Sequence, residues 1–297
     1  MWDPMALVPY DDRDGWIWFD GDFVPWRDAK VHVLTHGLHY ASAVFEGERM
    51  YGGEIFKLTE HTQRLFRSAE ILDFTIPFTV AQIDAACKET CVRNGLTDCY
   101  IRPIAWRGSE TIGVAAQDTK THVAIAAWEW PSYFAPEQKA KGIALTWAKY
   151  RRPAPDTPPT ASTAAGLYMI CTLSKHAAER DGFADAMMLD WRGYVAEATG
   201  ANVFFIHDGV LHTPTPDCFL DGITRRSVMA LAKDKGFEVV ERHILPEDLS
   251  GFSECFIVGS AAEVTPVRQV GEYRFTPGNI SLSLMDDYAR LVRRQAA

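Results

Sequence analysis

The sequence predicts a protein of the α+β class with two domains. Its strand and turn signals occur in runs that are separate from the predicted helices, whereas parallel α/β folds alternate βαβ units. The 297 residues exceed what one hydrophobic core comfortably supports. Residues 131–142 contain two prolines and several polar side chains, which is typical of a linker. We therefore predict a smaller α+β domain at residues 1–131, a linker at 132–141 and a larger α+β domain at 142–297.

In the first domain, strands and tight turns are predicted over residues 16–58. Asp20–Gly21 and Gly52–Gly53 are dipeptides typical of hairpin turns. Thr59 is predicted to cap a helix, because a threonine hydroxyl accepts hydrogen bonds from the first helical turn. The remaining predicted elements are a helix at about residues 80–93, with Thr79 as its cap and Gly95 beyond its end, and strands at 99–106 and 122–128.

The second domain is predicted to begin with a strand at residues 143–150 and a proline-rich loop at 153–159. Tight turns at 191–193 and 208–209 indicate two hairpins. The other predicted elements are helices at about 164–180 and 224–235, the second ending at Gly236, and a strand at 256–258 that leads into Gly259–Ala262.

The charge balance argues against partners that need a strongly basic surface. The chain has 30 basic and 39 acidic residues, and its formal net charge is -9. It therefore offers no extended cationic surface to a nucleic-acid backbone. No apolar stretch approaches the ~20 residues that cross a bilayer, and residues 1–15 do not follow the pattern of a signal peptide. We predict a cytoplasmic protein with no nucleic-acid partner and no membrane partner.

The cysteines and histidines do not predict a metal site. The six cysteines include no Cys-x-x-Cys pair, so buried reduced thiols are predicted. Cys87 and Cys91 would share a helix face but have no second pair of ligands. His32, His36 and His39 have the spacing of ligands on one helix face, yet their neighbours do not predict a helix. We therefore predict structural histidines and no metal.

The segment from Glu197 to Arg225 carries the strongest indication of chemistry. An acidic residue ends one strand, a turn of small residues leads into an apolar strand, and Gly222-Ile223-Thr224 opens a helix. A helix that begins in this way presents backbone N–H groups and a hydroxyl to an anion, which suits a phosphate. The alternative is that Thr224 only caps its helix. No Gly-x-Gly-x-x-Gly or Walker-type loop is present to support nucleotide binding.

The same segment resembles the fold-type IV pyridoxal-phosphate family, and within it the branched-chain amino acid aminotransferases. The motifs Glu-x-Thr-x-x-Asn-Val-Phe, Leu-x-Thr and Leu-x-Gly-Ile-x-Arg begin at Glu197, Leu211 and Leu220 with the family's spacing. The resemblance covers about residues 16–290, and the Phe-Glu-Gly-x-Arg form is similar to the branched-chain group rather than to D-amino acid transaminases. It implies a two-domain fold-type IV α+β structure. Further similar elements lie at Tyr40–Arg49, Glu60–Leu65, Tyr100–Pro103 and Gly259–Pro266.

The resemblance implies a set of contacts for pyridoxal 5'-phosphate. Glu197 would pair with the pyridinium nitrogen and keep the ring an electron sink. Tyr168 would form a hydrogen bond with the phenolic oxygen of the ring. Charge-assisted and helix-end donors would hold the phosphate. These implied donors are Arg64, Ile223, Thr224 and Ser260, and Leu220 is a further implied cofactor contact.

The resemblance also implies how substrate is recognised. Tyr100 and the backbone of Ala261 and Ala262 would receive the substrate carboxylate, and Arg102 would meet the side-chain carboxylate of glutamate. The implied activity is amino-group transfer between a branched-chain L-amino acid and 2-oxoglutarate, in a homodimer. An apolar pocket would be lined by Tyr40, Phe45 and Val114.

Taken singly, several of these residues have ordinary alternative explanations. Arg64 would then be a solvated helix residue, Glu197 the exposed end of a strand, and Phe45 part of a hydrophobic core. The resemblance therefore depends on the whole set of motifs rather than on one residue.

The sequence departs from the family at the position of the catalytic lysine. The family keeps this lysine in a Thr-x-x-Lys-Ala-x-Gly-x-Tyr setting, whereas this chain reads Thr160-Ala-Ser-Thr163-Ala-Ala-Gly166-Leu-Tyr168. The amine both links to the cofactor and moves the proton of the substrate. A threonine hydroxyl forms no imine and is a very weak base. The catalytic positions are therefore Thr163, Tyr168 and Glu197, and we expect severely reduced turnover.

None of the chain's ten lysines is an obvious replacement. Lys175 stands twelve residues beyond Thr163, about 18 Å along a helix at ~1.5 Å per residue. Lys149 is less firmly excluded, because the loop between it and Thr163 can fold back. Three interpretations stay open. The first is an intact scaffold whose turnover is strongly reduced, either by an engineered substitution at position 163 or by natural drift. The others are slow transamination supported by Lys149 or Tyr168, and binding of pyridoxal phosphate or another metabolite without turnover. The cofactor would be held noncovalently or as pyridoxamine phosphate.

Overall fold

The computed structural model describes residues 8–130 and 141–294. The chain divides into two compact units, unit 1 at Met1–Glu129 and unit 2 at Trp130–Ala297. The predicted linker at 132–141 lies outside the described residues except for Lys141. Each unit combines a sheet with helices, which is the predicted α+β class. Within the described ranges no helix has the length and apolar character needed to span a membrane.

Unit 1 contains an antiparallel sheet in which seven strands are described. The strands are β1 (Trp16–Phe19), β2 (Asp22–Pro25), β3 (Ala43–Phe45), β4 (Glu48–Tyr51), β5 (Glu54–Ile55), β6 (Cys99–Arg107) and β7 (Thr121–Glu129). Their order is β2-β1-β7-β6-β4-β5, and β3 pairs with β6. The helices are α1 (His36–Tyr40), α2 (Leu58–Ile71) and α3 (Val80–Arg93).

Local signals predicted the turns of unit 1 better than they predicted its helix starts. The β1–β2 turn at Asp20–Gly21 is confirmed, and both residues have the positive φ that such turns require (50° and 106°). Thr79 is confirmed as the cap of α3, where its hydroxyl accepts the Gln82 N–H at 3.2 Å. The predicted cap at Thr59 is wrong, because α2 already begins at Leu58.

The core of unit 1 lies between its sheet and the helices α2 and α3. Leu65 on α2, Ile83 on α3 and Ile101 on β6 are fully buried in one hydrophobic cluster. Instead of capping α2, the Thr59 hydroxyl donates to Asp84 Oδ2 of α3 at 2.5 Å. The two helices are therefore joined by a polar contact as well as by the core they share.

Unit 2 contains a mixed sheet in which nine strands are described. The strands are β8 (Ile143–Trp147), β9 (Asp185–Leu189), β10 (Val195–Ala198), β11 (Asn202–His207), β12 (Val210–Pro214), β13 (Val239–Arg242), β14 (Glu254–Gly259), β15 (Glu263–Val270) and β16 (Tyr273–Arg274). Their order is β10-β9-β8-β15-β14-β11-β12-β13, and β16 pairs with β15. The helices are α4 (Tyr168–Arg180), α5 (Ile223–Asp234) and α6 (Asn279–Arg294).

Two elements of unit 2 differ from their predicted limits. The strand predicted at 143–150 ends at Trp147, because beyond Ala148 its pairing with β9 resumes only at an isolated bridge between Arg152 and Asp190. The helix predicted at 164–180 begins as a 3₁₀ turn over Ala165–Leu167, and α4 follows from Tyr168. The first difference places Arg152 beside Asp190, which directly follows β9.

Candidate active site

Glu197 lies on β10 beside an irregularity in the pairing with β9, between Val195 and Glu197. Its side chain is largely buried and accepts a hydrogen bond from Asn202 Nδ2 at 3.1 Å. Arg152 Nε lies 3.3 Å from Glu197 Oε1. Burial raises the pKa of Glu197 to about 7, and the positive charge of Arg152 acts in the opposite direction. The structure therefore excludes the exposed strand end, and this carboxyl group titrates near neutral pH.

Arg152 was not among the residues that sequence reasoning identified. It is buried, and its Nη1 atom lies 3.7 Å from the thiol of Cys171 on α4. Tyr168 is close enough to influence the pKa of the Arg152 guanidinium. The only signal in the sequence is the pair Arg151-Arg152 before a proline-rich loop, which is more typical of a solvated surface.

Asn202 links Glu197 to the segment that precedes α5. Its Nδ2 atom donates both to Glu197 Oε2 at 3.1 Å and to the carbonyl oxygen of Leu220 at 3.0 Å. A Cβ atom on Gly222 would lie only 2.2 Å from Asn202 Oδ1. Glycine at position 222 therefore leaves the space that the Asn202 side chain occupies.

The N-terminus of α5 has the properties of an anion site. Gly222 is the N-cap, and no side chain caps the first N–H groups. Ile223 and Thr224 are the first two helical residues, and both are buried. The alternative that Thr224 merely caps the helix is therefore wrong. Uncapped amides at a helix N-terminus favour a negatively charged group such as a phosphate.

Arg225 fixes the start of α5 through hydrogen bonds to neighbouring elements. Its guanidinium is almost fully buried and donates to Asp221 Oδ1 at 2.9 Å, Glu241 Oε2 at 2.6 Å and the carbonyl oxygen of Pro214 at 3.1 Å. These bonds connect α5 with the end of β12 and with β13. The arginine of the Leu-x-Gly-Ile-x-Arg motif is thus a structural support for the start of α5.

The predicted contacts at Ser260, Ala261 and Ala262 form the turn between β14 and β15. Because β11 and β14 are antiparallel with Asn202 opposite Val258, this turn and the turn before β11 lie at the same edge of the sheet. A Cβ atom on Gly259 would lie 3.3 Å from the Gly200 carbonyl oxygen. The structure thus brings both turns together beside Glu197.

Thr163 is buried and lies shortly before α4, whose first residue is Tyr168. The two lysines considered as substitutes are engaged elsewhere. Lys149 is exposed, with Nζ 5.8 Å from the ring centre of Tyr150. Lys175 donates to the carbonyl oxygen of Ala184 and lies 3.5 Å from Glu179 Oε1.

Phe45, Tyr100 and Arg102, which were predicted to meet substrate, form a second group in unit 1. Arg102 Nη2 donates to the Tyr100 hydroxyl at 3.1 Å, and its guanidinium lies 4.5 Å from the ring centre of Phe45. A Cβ atom on Gly47 would lie 2.0 Å from the Tyr100 hydroxyl oxygen. The glycine of Phe-Glu-Gly-x-Arg therefore makes room for the tyrosine. Phe45 is only half-buried, so it is not an ordinary core residue.

Sequence reasoning also missed Arg49, which pairs with Tyr100 in the β4–β6 register. The side chain is buried, and its Nε and Nη1 atoms have no hydrogen-bond partner among the described residues. Buried guanidinium groups normally have partners. Arg49 therefore adds positive charge on the face of the sheet that carries Tyr100 and Arg102.

Arg64 on α2 forms a two-point ion pair with the buried Glu46, with both N···O distances at 2.7 Å. His61 Nδ1 donates to the same carboxylate at 2.8 Å. Burial acts to raise the pKa of Glu46, but the Arg64 charge and hydrogen bonds outweigh it and lower the pKa to about 2. Arg64 is therefore a positioned cation and not a solvated helix residue.

The predicted pocket residues Tyr40 and Val114 are exposed within unit 1. Tyr40 ends α1 and stacks on His36 at 4.6 Å between ring centres. The prediction that this segment is not helical is wrong, since α1 spans His36–Tyr40. The histidines of α1 nevertheless contact the backbone: His36 Nε2 donates to the Gly113 carbonyl oxygen and His39 Nε2 to that of Val33, both at 2.9 Å.

One group of possible metal ligands occurs in the part of the chain that the structure describes: Asp190, Asp217 and Cys218. Its carboxylates are already engaged, since Arg192 Nη2 lies 2.7 Å from Asp190 Oδ2 and 2.8 Å from Asp217 Oδ2. The Asp190 side chain also accepts backbone N–H bonds from the following turn. These side chains are therefore explained as part of an acidic turn whose two carboxylates form ion pairs with Arg192.

Unit 2 of this two-unit α+β chain thus holds a buried carboxyl group beside an uncapped helix start. The chain belongs to the amino-transferase class IV family, whose family model matches residues 43–270. It is 41% identical over 293 residues to a probable branched-chain-amino-acid aminotransferase of Rickettsia felis, covering 97% of this chain and 100% of the relative. It is 44% identical over 263 residues to the branched-chain-amino-acid aminotransferase of Pseudomonas aeruginosa, covering 87% and 86%.

Solved structures give the same result for the fold. The Escherichia coli branched-chain amino acid aminotransferase matches with a TM-score of 0.89 at 38% identity, over 94% of this chain and 95% of that chain. The branched-chain amino acid aminotransferase of Thermobaculum terrenum in its pyridoxal-phosphate form matches with a TM-score of 0.87 at 28% identity, over 95% of each chain. The fold is therefore the two-part α+β fold of type IV, and the cofactor of this family is pyridoxal 5'-phosphate.

Proposed function

We propose that this chain has the scaffold of a pyridoxal 5'-phosphate-dependent branched-chain amino acid aminotransferase, with turnover severely reduced by Thr163. Its reaction would transfer an amino group between a branched-chain L-amino acid and 2-oxoglutarate, as in branched-chain amino acid biosynthesis. The observation that carries the proposal is the Asn202 amide, which joins Glu197 to Leu220 beside the start of α5. These two hydrogen bonds hold the carboxyl group proposed for the ring nitrogen beside the helix start proposed for the phosphate.

Residues of unit 2 would hold the phosphate end of the cofactor. The amides of Ile223 and Thr224 and the Thr224 hydroxyl are positioned by a helix start that no side chain caps. Ser260 lies on the adjoining turn and would add a further hydroxyl. Arg64 is the proposed charge-assisted donor from unit 1, since its guanidinium is already held in one orientation by Glu46.

Glu197 and Tyr168 would hold the ring of the cofactor. Bound pyridoxal phosphate supplies a carbonyl carbon for the amino group and an electron-withdrawing ring. An ionised Glu197 would accept the N–H of the ring nitrogen and keep that nitrogen protonated. Because the pKa of Glu197 is raised to about 7, its charge at neutral pH depends on Arg152. Tyr168 is the proposed hydrogen-bond donor to the phenolic oxygen.

Substrate would be recognised by both predicted groups of residues. In unit 1, Tyr100 would bind the α-carboxylate and Arg102 the second carboxylate of glutamate, with their positions fixed by their mutual hydrogen bond. The half-buried ring of Phe45 would contact an apolar side chain. In unit 2, the backbone of Ala261 and Ala262 would receive the α-carboxylate.

Position 163 carries a threonine in place of the lysine whose amine would perform the chemistry. Its hydroxyl cannot form the covalent link to the cofactor and does not take the α-proton of the substrate at neutral pH. This favours, as a second candidate, a pyridoxal-phosphate- or metabolite-binding protein without turnover. Slow transamination supported by Lys149 or Tyr168 is a third account, although the Lys149 side chain is exposed beside Tyr150.

The decisive experiment compares the chain that carries Thr163 with its variants Thr163→Lys and Thr163→Arg. With pyridoxal phosphate present, we expect Thr163→Lys to increase leucine-dependent glutamate formation about a thousandfold or more, because base and covalent catalysis return together. Thr163→Arg adds a similar charge without a basic amine and should give no gain. An ordinary aminotransferase rate in the chain that carries Thr163 would contradict the proposal.

Binding separates the remaining accounts. Equilibrium dialysis should detect pyridoxal phosphate and pyridoxamine phosphate bound to the natural chain, with Thr224→Ala weakening both. Borohydride treatment followed by mass spectrometry should leave the natural chain unmodified and label Thr163→Lys at position 163. A labelled lysine elsewhere in the natural chain would support the substitute-base account instead.

We also propose a homodimer. Seven large apolar side chains of unit 1 are exposed on two segments that the bond from His36 Nε2 to the Gly113 carbonyl oxygen brings together. A second copy of this chain would cover them. The seven are Val31, Val33, Leu34, Leu38, Tyr40, Ile112 and Val114.

Light scattering after size-exclusion chromatography tests the dimer. Val33 and Val92 are equally exposed, at 70% each. Val92 is the control because it lies on α3, outside the two segments that carry the seven apolar side chains. We expect Val33→Asp to weaken self-association and Val92→Asp to leave it unchanged. A monomeric natural chain would overturn the proposal.

A cytoplasmic location is the final part of the proposal. All six cysteines of the chain are buried free thiols. This is the state expected in a reducing compartment. Cell fractionation tests it, and recovery of the protein outside the cytosolic fraction would contradict it.

A further inference from the structure

We propose that His122 is a positioning residue that fastens the loop of residues 108–120 through both ring nitrogens, and that protonation of the ring sets how firmly the loop is held. This loop joins β6 to β7 and carries Val114. The consequence for substrate rests on the proposed function, which places Val114 in the apolar pocket. The fastening itself is independent of that function.

The imidazole of His122 lies between two carboxylates from different parts of unit 1. Its Nδ1 atom lies 2.5 Å from Asp20 Oδ2 in the β1–β2 turn, and its Nε2 atom lies 3.3 Å from Glu110 Oε1 in the loop. The ring stacks on Trp106 at 5.7 Å between centres. A neutral imidazole carries one N–H and donates to one carboxylate, whereas the protonated ring donates to both.

The Glu110 carboxylate also closes the stem of the loop. Its Oε2 atom accepts the backbone N–H of Lys120 at 2.9 Å, and the Gly108 N–H donates to the Lys120 carbonyl oxygen at 2.8 Å. A Cβ atom on Gly108 would lie 2.5 Å from His122 Nε2 and 2.6 Å from Glu110 Oε2. Because Gly108 has no side chain, the His122 ring and the Glu110 carboxylate can approach each other over its backbone.

The same loop is connected to the predicted pocket residue Tyr40. The backbone N–H of His36 donates to the Gly108 carbonyl oxygen at 2.8 Å, and His36 Nε2 donates to the Gly113 carbonyl oxygen at 2.9 Å. Tyr40 stacks on the His36 ring. Loosening of the stem would thus disturb Val114 directly and Tyr40 through His36.

The pH dependence follows from the groups that face His122. These are the carboxylates of Asp20 and Glu110, while Trp106 on β6 and Phe19 on β1 present aromatic faces. Partial burial acts to lower the pKa of His122, but the two carboxylates outweigh it and raise the pKa above its ordinary value.

The direction of the pH effect is set by this raised pKa. The folded chain holds the proton more tightly than the unfolded chain, so the stabilisation is complete below about pH 6.5 and is lost as the pH rises through the raised value. Burial acts to raise the pKa of Glu110, but hydrogen bonds from Lys120 N–H and His122 lower it. The loop is therefore held most firmly between about pH 4.5 and pH 6.5.

Hydrogen exchange of the free protein, followed by mass spectrometry of the peptide that spans residues 108–120, tests the proposal. After correction for the intrinsic exchange rate, we expect protection of this peptide to fall about three- to tenfold between pH 6 and pH 9. His122→Gln should have low protection at both pH values. His176→Gln, an exposed position on α4, should behave like the natural chain.

Glu110→Gln provides a second variant that keeps the ring and its contact with Asp20. It should lose part of the protection and shift the transition to lower pH, with circular dichroism confirming that the fold is retained. Equal, pH-independent protection in the natural chain and in His122→Gln would overturn the proposal. Because no substrate is present in this experiment, the expected exchange together with an ordinary aminotransferase rate, or without binding of pyridoxal phosphate, would count against the proposed function alone.

Discussion

Each unit contains a buried glutamate paired with an arginine, and the two pairs are bonded differently. In unit 1, Arg64 contacts both oxygens of Glu46 at 2.7 Å, and His61 adds a third hydrogen bond. In unit 2, Arg152 approaches one oxygen of Glu197 at 3.3 Å. The first pair has the two-point geometry that gives the strongest charge-assisted hydrogen bonds, and the second does not.

The protonation of the two carboxyl groups differs accordingly. The pKa of Glu46 is lowered to about 2, whereas the pKa of Glu197 is raised to about 7. Burial raises the pKa in both cases, so the difference comes from the arginine contacts and the added histidine bond. A carboxyl group that stays ionised at neutral pH can hold its arginine in place, whereas one that titrates near neutrality is of the kind found at functional sites.

Loss of the tight pair should have the greatest consequence. Glu46→Gln leaves Arg64 without its counter-charge, and we expect unfolding in urea at pH 7 to require about 3–5 kcal/mol less free energy. Glu60→Gln is the matched control on α2, because its contact with Lys57 is largely exposed and should contribute less than about 1 kcal/mol. Similar losses in both variants would show that Glu46 acts as an ordinary surface carboxylate.

The same variant predicts a change in the dependence of stability on pH. Because the pKa of Glu46 is depressed in the folded chain, its contribution is complete above the ordinary value of 4.5 and is lost as the pH falls towards about 2. Glu46→Gln should therefore flatten the stability curve in this interval. An unchanged acid limb would contradict the assigned pKa shift.

Substitution of Glu48 should change the free energy of unfolding by an intermediate amount. Glu48 is a buried carboxyl group without an arginine contact. Neither oxygen accepts a conventional hydrogen bond from the described residues, although the Cys87 thiol is close. Burial, followed by the charges of Glu46 and Asp84, raises its pKa well above the ordinary value. The folded chain thus keeps a proton that the unfolded chain releases, so stability decreases as the pH rises above 4.5.

Glu48→Gln should remove this penalty. We expect a gain of about 1–3 kcal/mol in the free energy of unfolding at pH 8 and little change near pH 4. Glu54→Gln, at an exposed position on β5, is the control. A loss of stability at pH 8 would mean that Glu48 is ionised and paired.

Substitution of Arg152, in the looser pair with Glu197, should have the smallest effect of these variants. Arg152→Gln should raise the pKa of Glu197 further and weaken pyridoxal phosphate binding at pH 7 about tenfold, the equivalent of one pKa unit. Arg152→Lys keeps the charge and should lose less. Equilibrium dialysis from pH 6 to pH 9 should find that the affinity of Arg152→Gln recovers at high pH, whereas a uniform loss would indicate a purely structural role.

Local sequence signals predicted much of the fold but not all helix starts. The turn at Asp20–Gly21 and the cap at Thr79 depend on neighbouring residues, so both could be predicted. Thr59 has the same cap signal, yet α2 starts before it and its hydroxyl bonds Asp84 on another helix. The short helix α1 was missed because it is held by contacts with the distant Gly108 and Gly113.

The candidate site divides in a similar way. The motifs around Glu197 and Leu220 identified a carboxylate and a helix start, but the motif that contains Asn202 implied no role for its amide. Arg152 could not be found, because only the pairing of β8, β9 and β10 places residues that are far apart in sequence beside each other. Arg49 was likewise hidden within a motif.

The type of residue at each position does not depend on folding. The sequence alone therefore revealed the family, the residue types available at each site position and the absence of an amine at Thr163. The charge of the buried carboxyl groups, in contrast, is a property of the folded molecule. Glu46, Glu48 and Glu197 are the same residue type, yet their pKa values diverge. Burial and the geometry of hydrogen-bond partners differ at the three positions, and both arise from contacts that local sequence does not encode.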